Sequence, residues 1–264
     1  MTDAVNMKLI ADYHTHTKYS HGIGSIEDNV ISAMKKGLLK IAITEHGPAC
    51  PYGIKLSDYF EMRQTVSRLQ EKYRGSIEIL LGLEANIIDE QGRLDIPGDI
   101  ISDCDILLGG FHFDIIYQDY LQALRAKLNR RQKIKAVLDP GLYEEISARN
   151  TQAMIKALAA YPIDIITHPG DNHPVDIVKI AQAAQDRNTA LEINNAHKTL
   201  NAAQIKAAMS NSTVSFVISS DAHRPCDVGK FTWSVKLLEE TGLDVRRVRN
   251  LENFLHRQRL QLPQ

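Results

Sequence analysis

Seven short apolar runs alternate with helical patterns along this chain, and that alternation leaves few folds open. The runs are Lys8–Tyr13, Leu39–Thr44, Ile77–Leu83, Asp105–Phe111, Ile163–Thr167, Thr189–Ile193 and Val214–Ser219. Each is rich in Val, Ile or Leu, nearly continuous, and bounded by Gly, Asn, Asp or Pro. This is the pattern of strands buried on both faces of a parallel sheet. Helical patterns lie between them. Ser25 with Asp28 reads as a helix start. Ile26, Val30, Ala33 and Met34 then share a face, and Gly37 ends it. Tyr59, Met62, Val66, Leu69 and Tyr73 repeat at helical spacing up to Gly75. Further helices are expected over Thr151–Tyr161, Pro174–Arg187, Asn201–Ser210, Phe231–Glu240 and Val245–Arg257. Strand–helix alternation predicts a parallel α/β architecture. Periodicity alone does not separate an open sheet from a closed barrel.

One stretch breaks the rhythm. A helical insert is expected at about 113–150, carrying Arg125, Lys127, Arg130, Arg131, Lys133 and Lys135 and closed by a turn at Asp139-Pro140-Gly141. It reads as a solvated basic face, or as a lid that attracts an anionic substrate.

The polar residues fall where the strands end. His14 and His16 follow the first, His46 the second, and Glu84 closes the third. His112 follows the fourth and His168 the fifth. Glu192 and Asn194 close the sixth, and Asp221 and His223 follow the seventh. Parallel α/β folds place their active sites at these C-terminal strand ends. A lone His there is usually a hydrogen-bonded structural residue. Together, with no metal, these imidazoles would be buried with too few donors for their lone pairs. Side chains at i and i+2 of a strand point the same way, so His14 with His16, and Asp221 with His223, converge if the extended geometry persists.

Neutral imidazole with a few carboxylates suits Zn, and also Mn or Fe. The set exceeds what one tetrahedral ion takes, so two or three divalent ions are implied. A carboxylate can bridge two ions where a neutral imidazole normally binds one. Glu84 is therefore the natural bridge.

The strings Asp12-Tyr13-His14-Thr15-His16, Thr44-Glu45-His46-Gly47, Gly82-Leu83-Glu84-Ala85-Asn86, Gly110-Phe111-His112, Thr167-His168-Pro169-Gly170, Leu191-Glu192-Ile193-Asn194-Asn195 and Ser220-Asp221-Ala222-His223 resemble, in order, the motifs of the PHP (polymerase and histidinol phosphatase) superfamily. The match is strongest to its stand-alone trinuclear-metal phosphatases. The resemblance implies a distorted (β/α)7 barrel, with the metal site at the C-terminal strand ends, as one PHP-type domain over residues 1–264. It also implies the ligand sets. The first ion would take His14, His16, Glu84 and Asp221. The second would share Glu84 and take His112 and His168. The third would take His21, His46 and His223. Two departures stand out. The loop from His16 to His21 is one residue short, and Glu45 stands where the family usually has Asp.

The function implied is a metal-dependent phosphatase, hydrolysing a small phosphate monoester by attack of a metal-bound hydroxide, with Glu84, Asp221 and His168 at its catalytic centre. Arg224 is the best-placed cation for the substrate phosphate, with Lys198 next. His197 is a candidate donor to the leaving alcohol. His173 and His256 have no motif support. Ser20, Ser220 and Cys226 lack the context of an activated nucleophile.

Composition enters to exclude partners. With 31 basic and 32 acidic residues, the chain lacks the basic excess of a nucleic-acid or membrane-surface binder. The three Cys lack zinc-ligand or disulfide spacing. No apolar run reaches the ~18 residues of a transmembrane helix, and Met1–Ala11 lacks a signal peptide's apolar core. The expected setting is the cytoplasm, and the expected partner a small anionic phosphorylated substrate. A PHP-type nuclease or exonuclease, a non-catalytic metal-binding regulatory module, and a C–N hydrolase of similar barrel are the competing readings. The basic cluster from Arg125 to Lys135 favours the first. The full set of ligands argues against the second. The sequence does not name the phosphorylated alcohol or the oligomeric state.

Overall fold

The computed structural model describes residues 8–112 and 140–252. The insert's basic cluster and His256 therefore lie outside the described residues. Seven parallel strands run in sequence order: β1 (Ala11–Asp12), β2 (Lys40–His46), β3 (Glu78–Asn86), β4 (Ile106–Gly110), β5 (Ile165–Ile166), β6 (Ala190–Asn194) and β7 (Ser215–Ser219). Helices α1 (Ile26–Lys35), α2 (Leu56–Lys72), α3 (Gly98–Asp103), α4 (Pro140–Ala160), α5 (Ile177–Asp186), α6 (Ala202–Asn211) and α7 (Thr232–Thr241) pack outside them. The result is a nearly closed, distorted (β/α)7 barrel.

Two apolar layers follow from the period-two alternation of strands. Outward residues such as Ile41, Ile43, Leu81 and Leu83 pack against the helices in the larger cluster. Inward residues Ala42, Ile106, Leu108, Ile165, Ala190 and Val217 fill the barrel floor. Continuing the inward parity up each strand reaches Thr44 and His46 on β2, and Gly82 and Glu84 on β3. The floor thus sets which side chains face the mouth. Gly82 is needed there: a Cβ would lie 2.1 Å from the Ile106 carbonyl oxygen of the next strand.

Local signals start and stop the helices as expected. The Ser25 side chain accepts from the Asp28 backbone N–H, and Asp28 returns a bond to the Ser25 N–H. Such a cap is worth about 1 kcal/mol. Gly37 and Gly75 end α1 and α2 with φ of 75° and 78°.

Several boundaries differ from expectation. β1 and β5 each pair over only two residues, whereas β2 and β3 pair through His46 opposite Glu84. Two candidate ligands therefore sit inside paired strands. α3 was hidden by the Pro97-Gly98 start, which reads as a turn. Pro140 begins α4 instead of closing a turn, a position that suits its fixed φ and missing N–H. The helix expected from Val245 is a 3-10 turn, Val245–Arg247, followed by extended Val248 and a turn at Arg249 and Asn250. Val248 bridges Phe216 and Leu251 bridges Leu9. Residues past 252 lie outside the described set.

The β1–β7 seam is closed by side chains. Buried Asn250 accepts from the Ile218 N–H (3.1 Å) and donates to the Ala11 (2.9 Å) and Ile218 (2.6 Å) carbonyls. The Asp12 carboxylate accepts from the Ser220 (3.1 Å) and Gly229 (2.8 Å) N–H groups. Higher up, Thr15 and Ala222 form a parallel bridge, with His16 N donating to the Ala222 carbonyl at 2.8 Å. The seam is thus tied at the level of the mouth, where the histidines are.

Candidate metal centre

Glu84 stands at the centre of the mouth with no exposed surface. Its Oε1 lies 3.2 Å from His14 Nε2, 2.9 Å from His112 Nε2 and 2.9 Å from His168 Nε2. Its Oε2 lies 2.9 Å from His46 Nδ1 and 3.5 Å from His16 Nε2. One carboxylate therefore faces five imidazoles, divided between its two oxygens. Asp221 Oδ1 is 3.5 Å from His14 Nε2, 3.3 Å from His16 Nε2 and 3.6 Å from His223 Nδ1.

Four clusters bring three donor atoms each within ligation distance of one another. They are His14, His16 and Asp221; His46, Glu84 and His112; His16, His46 and His223; and His168, His197 and Asp221. His21 is in none of these among the described residues. Its exposed ring instead lies at the rim, with centroids 4.0 Å from His223, 4.8 Å from His46 and 4.3 Å from Tyr52.

The donors are aimed by partners behind them. His14 Nδ1 is 2.7 Å from Glu192 Oε1, and His112 Nδ1 is 2.6 Å from Asn86 Oδ1. His223 Nδ1 is 3.0 Å from the Asp221 carbonyl. A ring nitrogen that donates outward leaves the other nitrogen's lone pair pointing inward. Glu192 also accepts from the His168 N–H at 2.6 Å and the Asn194 side chain at 3.0 Å. Sequence reading set Glu192 at a strand end but gave it no role. Its inward parity with Asn194 was the available signal.

Two ligand candidates have strained backbones. His168 has φ of 24° and Asp221 φ of 53°. Each costs about 1–3 kcal/mol for a residue with a Cβ. Asp221 and His223 therefore converge through a left-handed turn, not through strand alternation. His14 and His16 do converge as the extended pattern predicts, with Nε2 atoms 3.0 Å apart.

The electrostatics match a cation site. Burial disfavours the charged forms of Glu84 and Asp221, yet the surrounding imidazoles outweigh it and hold both carboxyls well below their usual range. Burial likewise opposes charge on His14 and His16. Asp221, Glu84 and Glu192 hold His14 well above its usual value, while the neighbouring Asp221 and Glu45 carboxylates raise His16 to about 9. His46 is pushed well down, mainly by burial. The decisive fit is in unmet valence. Glu84 Oε2, Asp221 Oδ1, His46 Nδ1, His112 Nε2 and His223 Nε2 are buried atoms without an aligned hydrogen bond among the described residues, although the carboxylate oxygens face imidazole nitrogens as close as 2.9 Å. A buried polar atom left unsatisfied costs about 1–3 kcal/mol, and a shared divalent cation would satisfy these together. These nitrogen and carboxylate donors suit Zn, Mn or Fe.

The remaining expected residues are placed as follows. His197 lies with Nδ1 2.9 Å from Asp171 and Nε2 3.2 Å from Asp221. Burial opposes its charge, but both carboxylates raise its pKa to about 10. Lys198 is exposed beside the mouth with φ of 55°. Arg224 is exposed at the head of the 3-10 turn Pro225–Asp227. Glu45 accepts from the Thr17 N–H (2.7 Å) and from the Thr17 and Ser20 hydroxyls. Its longer arm anchors the shortened loop that leads to His21.

The sequence matches the PHP domain family over residues 12–196. This chain belongs to the PHP domain family. Curated relatives include a Thermoanaerobacter sp. protein named "Probable phosphatase", 33% identical over 90% of this chain and 88% of its own length. A Shewanella frigidimarina protein of the same description is 30% identical over 92% and 90%. Among solved structures, a Listeria monocytogenes chain assigned as a histidinol phosphatase superposes with TM-score 0.65 at 16% identity, covering 85% of this chain and 99% of its own. The Lactococcus lactis histidinol phosphate phosphatase, solved with zinc, L-histidinol and phosphate, gives TM-score 0.56 at 15% identity over 89% and 94%. At those identities the two structures support the shared fold alone. No helix among the described residues is long and apolar enough to cross a membrane.

Proposed function

We propose that this PHP-family chain is a metal-dependent phosphoesterase acting on a small phosphate monoester. The observation that carries the reading is the division of five imidazoles between the two oxygens of Glu84. It suits a carboxylate shared between cations, with His14, His112 and His168 facing one oxygen and His16 and His46 the other; the ion sets themselves follow the family resemblance. His14, His16, Glu84 and Asp221 would hold one ion, and Glu84, His112 and His168 a second. His46 and His223 would hold a third, with His21 at its exposed side. Bound divalent ions would supply a water of lowered pKa as nucleophile and positive charge for the phosphoryl oxygens.

The chain's own groups supply the rest. Glu192, Asn86 and the Asp221 carbonyl fix the imidazole orientations before substrate arrives. That spares reorganisation during the reaction. Arg224 and Lys198 are the side chains assigned to the outer phosphate oxygens. Protonated His197, held between Asp171 and Asp221, is assigned to donate its proton to the leaving alkoxide. The names of the curated relatives support the phosphatase reading. The test is metal analysis of the purified protein, followed by phosphate release from a panel of monoesters with and without chelator. Chelator-sensitive release supports the reading; metal-loaded protein that releases no phosphate from any ester rejects it.

A further inference from the structure

A cavity of about 570 Å³ opens beside the metal centre. Asp221 and His223 form its inner side. Lys198, Lys230, Trp233, Lys236 and Asp227 are among the other lining residues. The wall is built, not incidental. Asn194 donates to Glu192 (3.0 Å) and Asp221 (3.1 Å), and its Oδ1 accepts from the Ala196 (2.9 Å) and His197 (2.8 Å) N–H groups. This ties the loop carrying Lys198 to the candidate ligands. The next residue, Asn195, accepts from the Trp233 N–H at 3.0 Å and caps the start of α7. Two adjacent asparagines thus fix the Trp233 side of the cavity against the metal side.

Charge and shape then limit what the cavity suits. Lys230 lies 3.4 Å from Asp227, while Lys198 and Lys236 have no carboxylate in ion-pair range among the described residues. Three ammonium groups face one non-ligand carboxylate. Trp233 is half-buried, packing against the core while lining the cavity. An indole face stacks on flat rings, and the unpaired ammonium groups favour an anion.

Resting on the phosphoesterase reading, we propose that this cavity holds the leaving portion of the substrate, and that this portion is a flat ring bearing a second anionic group. The phosphate would sit on the metal side, the ring against Trp233, and the second anion toward Lys230 and Lys236. The proposed substrate class is an aromatic or heteroaromatic phosphomonoester with an additional carboxylate or phosphate.

Four esters separate the two features: phenyl phosphate, 4-carboxyphenyl phosphate, glycerol 1-phosphate and 3-phosphoglycerate. Trp233 is the single tryptophan of the chain, so its fluorescence reports occupancy independently of turnover. With metal-loaded protein, 4-carboxyphenyl phosphate should have a KM about tenfold below that of phenyl phosphate, a modest electrostatic gain. It should quench Trp233 saturably, and both aryl esters should surpass both glycerol-type esters. Lys230→Ala with Lys236→Ala should bring the KM ratio of the two aryl esters near one, whereas Lys206→Ala on α6 should leave the ratio intact. Equal KM values for the aryl esters, or no change in Trp233 fluorescence at saturation, would overturn the proposal. Saturable quenching without phosphate release would support the cavity and reject the phosphoesterase reading instead.

Discussion

His14 Nε2 lies 3.0 Å from His16 Nε2, with Asp221 Oδ1 within 3.5 Å of both. The His14 Nδ1 is already engaged by Glu192. Two imidazole nitrogens at that distance need a proton between them or a cation in place of it. The carboxylates hold His14 well above its ordinary value and His16 at about 9. Raised values mean that the metal-free pair holds at least one extra proton at pH 7, shared between the facing nitrogens, and loses it as pH rises.

Metal binding at pH 7 should therefore release at least one imidazole proton from this pair, because a ligating imidazole is neutral. Metal affinity should climb with pH up to about 9 and weaken as pH falls. Calorimetric zinc titrations in buffers of different ionisation enthalpy count these protons. A count and an affinity that stay flat from pH 6 to 9 would contradict the arrangement.

Replacing His168 with Ala removes one of the three imidazoles at Glu84 Oε1. Turnover should fall at least 100-fold, as expected for a lost ligand. The far-ultraviolet circular dichroism should not change, since β5 and the barrel floor are untouched. Wild-type kcat in this variant would remove His168 from the site.

Glu45→Asp tests the anchored loop. The shorter arm should lose its bonds to Thr17 or Ser20, at about 1–3 kcal/mol for the buried donors left behind. Because Glu45 Oε2 also lies 3.7 Å from His16 Nδ1, the variant should weaken the events that use His16 and His21, about tenfold, while the event at His112 and His168 holds. Stoichiometric metal titration separates these events. Uniform weakening of all of them would mean that Glu45 supports the whole centre instead of this loop.

Asn250→Ala tests the seam. It leaves the Ala11 and Ile218 carbonyls and the Ile218 N–H without their side-chain partner. The expected loss is about 2–4 kcal/mol in urea unfolding, from unsatisfied buried groups. A loss below the scatter typical of surface changes would mean that the seam is held by the Asp12 bonds and the Thr15–Ala222 bridge alone.

The strands and most helices were legible because their signals are local. Ser25 with Asp28 marks a cap, Gly37 and Gly75 mark stops, and short Ile/Val runs mark buried strands. The mouth was legible because strand parity carries from the apolar floor to His46 and Glu84. What stayed hidden depends on distant partners. Asn250 looks like a residue of a terminal helix, yet the seam holds it in a turn between two bridge residues, Val248 and Leu251. Glu192 looks like a strand residue until His14 is placed against it. The left-handed turn at Asp221 has no glycine to announce it. Its conformation is imposed by the surrounding network, including the Asn194 bond. Asn195 acts as a helix cap across about 38 residues of chain, a separation that no local pattern records.

The central claim is that Glu84 is shared between cations that drive phosphate release. Its most direct measurement is the metal content and phosphate release of Glu84→Gln beside the parent protein. Glutamine keeps the shape and removes the charge. The account predicts at least two divalent ions per parent chain, chelator-sensitive phosphate release, and loss of at least one ion together with activity in the variant. Full metal content with parental phosphate release in Glu84→Gln would contradict it.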